Sequence, residues 1–161
     1  MIRKLAIVPA LLLWCMAGPG LAQDASKTED AVEIESDRME IKDEENISIF
    51  TGKVVAKRPD MTLTAEKLVA HYANVKQADG STKNEISNFE ASGNVVIVTD
   101  KQKVTGSAAT LNYNTNDLVV TGNVTVTQGT TVLKGPKLEA NLDTDKMVMT
   151  GGRVKGSFLP K

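Results

Sequence analysis

Residues 117–135 read DLVVTGNVTVTQGTTVLKG, and this stretch decides the fold. Apolar and polar side chains alternate on both sides of Gly122. The apolar positions are Leu118, Val120, Val124 and Val126. Strict alternation over a short run predicts a half-buried β-strand, because successive side chains point to opposite faces. The central glycine predicts a bulge or sharp bend where the strand changes direction.

Two short signatures repeat this unit along the chain. The first is a glycine with valine two places on: Gly52 with Val54, Gly93 with Val95, Gly122 with Val124, and Gly152 with Val154. The second is a small residue with an apolar residue three places on: Ser36 with Met39, Ala65 with Leu68, Ala108 with Leu111, and Gly135 with Leu138. The glycines are 41, 29 and 30 residues apart. A polar insertion at 74–84 explains the longer first step, and its Asp79-Gly80 pair predicts an exposed loop or hairpin tip.

A period near thirty residues, made of short strands and bends, predicts an all-β fold in which neighbouring units share a core. We expect two facing antiparallel sheets of short strands, as in a jellyroll or an open β-sandwich, with an aliphatic inner side. The first strand is predicted at 32–35 and a second at 39–41, with turns at 43–46 and 58–60. The winding leaves two open ends, near Val32 and near Val154.

The N-terminus has the pattern of a secretory signal peptide. Arg3 and Lys4 precede an apolar run at 5–16, and Gly20-Leu21-Ala22 offers a cleavage site. The sequence therefore predicts a cleavable signal at 1–22, a flexible leader at 23–31 and one domain at 32–161. A lipid anchor on Cys15 and an uncleaved membrane anchor are the alternatives.

Composition narrows the function classes. The chain has 19 basic and 20 acidic residues, and cleavage would remove two basic residues and no acidic ones. A mildly acidic chain argues against nucleic acid as a partner. Paired acids, a nucleophile with its base, and a metal cluster are all missing from the pattern, so we expect neither an enzyme nor a cofactor or metal. His71, the one histidine, is predicted to be a surface side chain.

Four segments carry a resemblance to a known family. They are VEIESDRMEI at 32–41, FTGKVVAKRPDMTLTAEKLVAHY at 50–72, VTGSAATLNYNTNDLVVTGNVTV at 104–126 and LKGPKLEANL at 133–142. With the signal peptide, they resemble the OstA-like family of periplasmic lipopolysaccharide-transport proteins, typified by LptA. The resemblance rests on ordered repeats over nearly the whole mature chain, about 32–154.

The resemblance implies an open, V-shaped β-jellyroll in the periplasm that binds lipopolysaccharide. Protomers would join head to tail through their edge strands and form a bridge from the inner to the outer membrane. The implied partners are the lipid A part of lipopolysaccharide, an inner-membrane LptC-like protein and an outer-membrane LptD-like protein. The acyl chains would travel in an apolar groove.

The resemblance also implies roles for individual residues. The groove would be lined by Val32, Ile34, Met39, Ile49, Val54, Leu63, Leu68, Phe89, Val95, Val104, Leu111, Tyr113, Leu118 and Val120. The interface between protomers would involve Val32, Ile34, Val154, Lys155 and Phe158.

Two alternatives stay open. A closed sandwich core predicts the same alternation as a lipid groove. A structural or polysaccharide-binding module of the cell envelope also fits the fold, although scarce aromatics disfavour stacking on sugars. A set of basic residues would ring the groove mouth and meet lipid phosphates, or would form an ordinary solvated face: Lys53, Lys57, Arg58, Lys67, Lys101 and Lys103.

Overall fold

Ten strands form one antiparallel sheet in the computed structural model, which describes residues 32–159. The predicted signal peptide and leader lie outside the described residues. The strands are β1 (Glu33–Glu35), β2 (Arg38–Lys42), β3 (Ile47–Lys57), β4 (Met61–Lys76), β5 (Thr82–Thr99), β6 (Lys103–Asn112), β7 (Asp117–Gln128), β8 (Thr131–Asn141), β9 (Lys146–Thr150) and β10 (Lys155–Ser157). A short 3-10 turn, Asp43–Glu45, connects β2 to β3.

Consecutive long strands pair as hairpins, in the order β3-β4-β5-β6-β7-β8. Both β1 and β2 pair with β3 at one end, and both β9 and β10 pair with β8 at the other. The sheet therefore has two free edges, one formed by the first two strands and one by the last two.

A line of bulges crosses the six long strands β3 to β8 and continues between β1 and β2 and between β9 and β10, and we call it the fold line. Two residues on β3, β5 and β7 oppose one residue on the neighbouring strand, which shifts the register at each crossing. The fold line passes through Asp37, Gly52-Lys53, Glu66, Gly93-Asn94, Ser107, Gly122-Asn123, Pro136 and Gly151-Gly152. The bend predicted at each repeated glycine is thus confirmed.

Glycine is required on this line for two reasons. Gly93 and Gly122 have φ of +80° and +83°, a region that disfavours side chains. A Cβ on Gly93 would also lie 2.7 Å from the Cβ of Glu66, across the pair of strands. Asn94 and Asn123 follow in the left-handed region that asparagine tolerates.

The fold line divides the sheet into two half-sheets that face each other. The first half-sheet holds β1, β10 and segments 54–57, 61–65, 95–99, 103–106, 124–128 and 131–135. The second holds β2, β9 and segments 47–51, 67–76, 82–92, 108–112, 117–121 and 137–141. The all-β jellyroll-like prediction is confirmed, with one refinement: the two layers are halves of one hydrogen-bonded sheet.

The polar insertion lengthens one hairpin. β4 and β5 stay paired out to Lys76 and Thr82, so the insertion is a hairpin tip. The tip closes where the Gly80 N–H donates to the Gln77 carbonyl at 3.0 Å, and the Ser81 N–H donates to Asp79 Oδ1 at 2.9 Å. The aspartate-glycine signal therefore located the turn.

One alignment made from the sequence is wrong. The register places Ser107 opposite the bulges of both β5 and β7, where Glu66 and Pro136 stand in the other repeats. The third small-and-apolar pair is therefore Gly106 with Ala109, not Ala108 with Leu111. Because Ala108 and Ala109 are the same residue type, the sequence alone did not show which of them corresponds to the apolar position of the other repeats.

Candidate functional site

The candidate site is the apolar space between the two half-sheets. Inner-facing side chains from both halves meet there in a single hydrophobic cluster. At one end they line a cleft formed by Val32, Ala56, Arg58, Met61, Leu63, Leu68, Phe89, Ala91, Ala109, Leu111, Tyr113 and Leu118. Arg58 is the one charged side chain among these lining residues.

The space is narrow in this conformation. Val54, Leu68 and Val120 are fully buried, and the cleft has room for about one water molecule. The closed interior would therefore become a lipid groove only through a movement of the two half-sheets. An acyl chain could enter only if the two half-sheets move apart.

The side of the molecule away from the fold line, where the strands end in turns, is called the mouth. Side chains of the β3–β4 and β5–β6 turns, in the first half-sheet, reach across it to the second half-sheet. Lys101 Nζ lies 2.6 Å from Asp145 Oδ2, and Gln102 Nε2 donates to Met147 Sδ at 3.2 Å. The mouth is therefore held by side chains alone, whereas continuous backbone crosses the fold line.

Arg58 makes the third contact across the mouth. Its guanidinium carbon lies 5.4 Å from the centre of the Tyr113 ring, a cation–π distance. Tyr113 packs edge-on against Phe89, with 5.4 Å between ring centres. These three side chains form a stack from the first half-sheet into the interior face of the second.

Backbone and ionic contacts fix Arg58 in the β3–β4 turn. Its N–H donates to the Met61 carbonyl at 2.8 Å, and its carbonyl accepts from the Met61 N–H at 3.4 Å. Its Nε lies 3.2 Å from Asp60 Oδ1. The terminal nitrogen Nη1 is buried and has no acceptor among the described residues.

Most residues predicted to line the groove lie in the interior. The structure buries Val54, Leu63, Leu68, Phe89, Val95, Val104, Leu111, Leu118 and Val120. Val32, Ile34 and Tyr113 are half-buried and pack against this cluster. The structure thus brings these residues together on one inner surface; whether lipid touches them stays a prediction.

The prediction for Ile49 is wrong. Ser48 and Phe50 are buried on the inner face, so Ile49 between them points to the outer face, where its cross-strand partner is Val69. Met39 does face inwards, because it pairs with the buried Phe50, but it lies on an edge strand and is 51% exposed. The inner-facing Ser48 is polar, whereas Ile47 and Ile49 on either side of it are apolar. The hydrophobic pattern therefore assigned the isoleucines, and not Ser48, to the inner face.

The residues predicted for the interface lie at the two free edges. Ile34 pairs with Ala56 at the first edge. Val154, Lys155 and Phe158 lie at the last edge, where Phe158 is 66% exposed. The structure contains no second copy, so the interface stays a prediction.

Sequence reasoning missed several interior residues. Ala56, Met61, Ala91 and Ala109 line the cleft, and Phe50 is buried beside it. Three of them are alanines, whose small side chain carries a weak hydrophobic signal. His71 lies on the outer face, as predicted, with Nε2 3.4 Å from Glu90 Oε1. Within residues 32–159, no helix has the length and apolar character needed to cross a membrane.

Two of the chains found by comparison with known proteins are a curated protein and a solved structure that are similar to this chain. An uncharacterized protein of Rhizobium meliloti is 32% identical over 91 residues, which cover 56% of this chain and 49% of that protein. The chain thus spans about half the length of this curated relative. The crystal structure of LptH, described as the LptA homologous periplasmic component of the lipopolysaccharide transport device of Pseudomonas aeruginosa, matches with a TM-score of 0.67. That match covers 82% of this chain and 97% of LptH at 15% identity, so it concerns the fold.

A family model agrees with the resemblance found in the sequence. The family described as LptA/(LptD N-terminal domain) LPS transport protein matches residues 33–146, from β1 to the start of β9. The description is that of a transport protein and not of an enzyme. The match takes in most of the fold line, of the cleft lining and of the mouth, and the chain therefore belongs to the LptA/LptD N-terminal domain family of lipopolysaccharide transport proteins.

Proposed function

We propose that the protein is a periplasmic carrier of lipopolysaccharide that holds acyl chains between its two half-sheets. The observation that carries this proposal is an aliphatic interior that reaches both free edges of the sheet. Met39 and Ile41 face inwards at the first edge, and Met147 and Met149 do so at the last. An ordinary closed core would cover such side chains at its ends.

The energetics favour a carrier that needs no chemistry. Shielding an acyl chain from water is worth about 0.8 kcal/mol per methylene, so ten methylenes contribute about 8 kcal/mol. Opening the mouth breaks one exposed ion pair and two part-buried contacts, Gln102–Met147 and Arg58–Tyr113. The Lys101–Asp145 ion pair, with side chains 66% and 73% exposed, is worth at most about 1 kcal/mol. The loss of this ion pair is therefore small beside the gain from shielding an acyl chain.

The free edges support head-to-tail assembly. Within residues 32–159, β1 and β2 pair only with β3, and β9 and β10 pair only with β8, so each edge leaves backbone groups free in both half-sheets. Pairing the last edge of one copy with the first edge of the next would continue the sheet and its interior. Because such a contact does not close on itself, it generates filaments. We propose that this filament bridges the two membranes, with LptC-like and LptD-like proteins at its ends.

Binding of lipopolysaccharide by the chain from Gln23 to Lys161 tests the proposal. We expect acylated lipopolysaccharide to bind and its delipidated polysaccharide not to bind. In the same preparation, Ile34→Asp should shift the size distribution towards monomer, because it places a charge at the first edge; Glu33→Asp is the matched control. Equal binding of both ligands by the folded chain would point instead to a polysaccharide-binding module. An unchanged size distribution would refute the first-edge interface.

A further inference from the structure

The cleft carries one polar group that an acyl chain cannot satisfy. Arg58 projects from the β3–β4 turn into the apolar lining, and its Nη1 is buried with no acceptor among the described residues. Buried donors in folded proteins are almost always paired. An unpaired donor on a cation beside an apolar cleft is therefore a strong pointer to a ligand with an anionic group.

The surroundings of Arg58 suit it for recognition. Asp60 takes only the Nε side of the guanidinium, at 3.2 Å, and the Tyr113 ring covers its face. The two hydrogen bonds with Met61 hold the turn in place. The fork of N–H groups on the remaining side matches the oxygens of a phosphate, which guanidinium groups bind with two parallel hydrogen bonds.

Two other basic residues near the mouth are already engaged. Lys57 Nζ lies 3.1 Å from Glu35 Oε1, and Lys101 pairs with Asp145. Both lysines are exposed on the outside of the cleft and do not line it. Arg58 therefore differs from its basic neighbours in lying where acyl chains and a head group would meet.

We propose that Arg58 is the phosphate-recognition residue of the cleft, and that the ligand is an amphiphile whose phosphate lies next to its acyl chains. This inference rests on the proposed function and adds the group that orients the lipid at the mouth. The phosphate could belong to lipid A or to a glycerophospholipid, since both place it near acyl chains. Tyr113 positions the guanidinium, and the Asp60 carboxylate on its Nε side offsets part of its positive charge.

The test compares bisphosphorylated lipid A with dephosphorylated lipid A on the full mature chain. We expect the wild type to prefer the phosphorylated form by about 10-fold to 100-fold, the range for a hydrogen bond between charged groups. Arg58→Gln should remove that preference, so that the two forms bind this variant with affinities within about twofold of each other. Asp60→Asn should strengthen the preference, because it removes a negative charge that lies next to the guanidinium and repels the phosphate. Lys57→Gln is the matched control and should change neither affinity.

The outcomes separate recognition from a structural role. If Arg58 only stabilised the fold, its replacement would weaken both lipids equally, and that result would overturn the proposal. Equal binding of the two lipids by the wild type would also overturn it while leaving the carrier function intact. No binding of either lipid by the folded wild type would overturn both proposals. Phosphatidylglycerol vesicles form the third arm: phosphate-dependent binding to them that Arg58→Gln removes would support Arg58 with a glycerophospholipid as the source.

Discussion

The fold line and the mouth connect the same two half-sheets in opposite ways. At the fold line, continuous backbone passes from one half-sheet to the other through bulges with fixed, left-handed residues. At the mouth, only side chains reach across, as in the pairs Lys101–Asp145 and Arg58–Tyr113. One side is therefore built as a hinge and the other as a clasp, which is the arrangement a cleft needs to open without unfolding.

The largest expected effect comes from filling a glycine on the fold line. Gly122→Ala would place a Cβ 2.5 Å from the Cβ of Ser107 at a φ of +83°. The left-handed backbone costs about 1–2 kcal/mol and the crowding about 1–3 kcal/mol more. We expect urea denaturation to show a loss of about 2–5 kcal/mol in the free energy of unfolding.

Gly80→Ala is the matched control for that variant. Gly80 has almost the same φ, +84°, but nothing lies within 4 Å of the position that the alanine methyl group would take. Its cost should be the backbone term alone, about 1–2 kcal/mol. Equal losses for the two variants would mean that crowding at the fold line contributes nothing.

A smaller effect is expected at the mouth. Lys101→Ala should lower the free energy of unfolding by less than about 1 kcal/mol, because the ion pair it removes is exposed. The coupling energy of Lys101 with Asp145, measured by a double-mutant cycle, should be smaller in 1 M salt than at low salt. A loss as large as that of Gly122→Ala would show that the mouth is a structural joint and not a clasp.

The smallest effect concerns the pKa of Asp117, at the end of β7 that lies at the mouth. The Asn141 amide donates to Asp117 Oδ1 at 2.8 Å, and this bond, followed by one involving Thr115, holds the pKa of Asp117 below its usual range. A lowered folded-state pKa means that the stabilisation is present above the unfolded-state pKa and is lost as the pH falls through the folded-state pKa. Carboxyl NMR should give this low midpoint in the wild type and a higher one in Asn141→Ala. An identical midpoint in both would refute the role of Asn141.

The sequence was informative about the fold because its strongest signals are local. Alternation and the glycine bends mark each strand and each crossing, since both follow from backbone geometry over a few residues. The face of Ile49 was mispredicted because a buried serine and an outer isoleucine reversed the usual polarity at 47–50. The local pattern shows that successive residues point to opposite faces of the strand. Which face is buried depends on which side of the strand the other half-sheet covers.

The site was less predictable, because it depends on contacts between distant turns. Arg58 and Tyr113 are far apart in the chain, and no spacing rule connects the β3–β4 turn with the β6–β7 turn. Arg58 therefore stood out no more than the lysines around it until the two half-sheets were placed face to face. The closed state of the cleft likewise follows from three-dimensional packing, which alternation cannot describe.

The repeat units that the bulges define also determine the length of the cleft. Each unit of 29 or 30 residues between the later glycines adds two strands, and strands are spaced about 4.8 Å apart, so one unit lengthens the trough by about 10 Å. Because every unit bends at the same place, the cross-section stays constant as the trough grows. Tandem duplication of a single unit would thus lengthen the trough and leave its cross-section unchanged. The length and the width of the trough can therefore vary independently in this architecture.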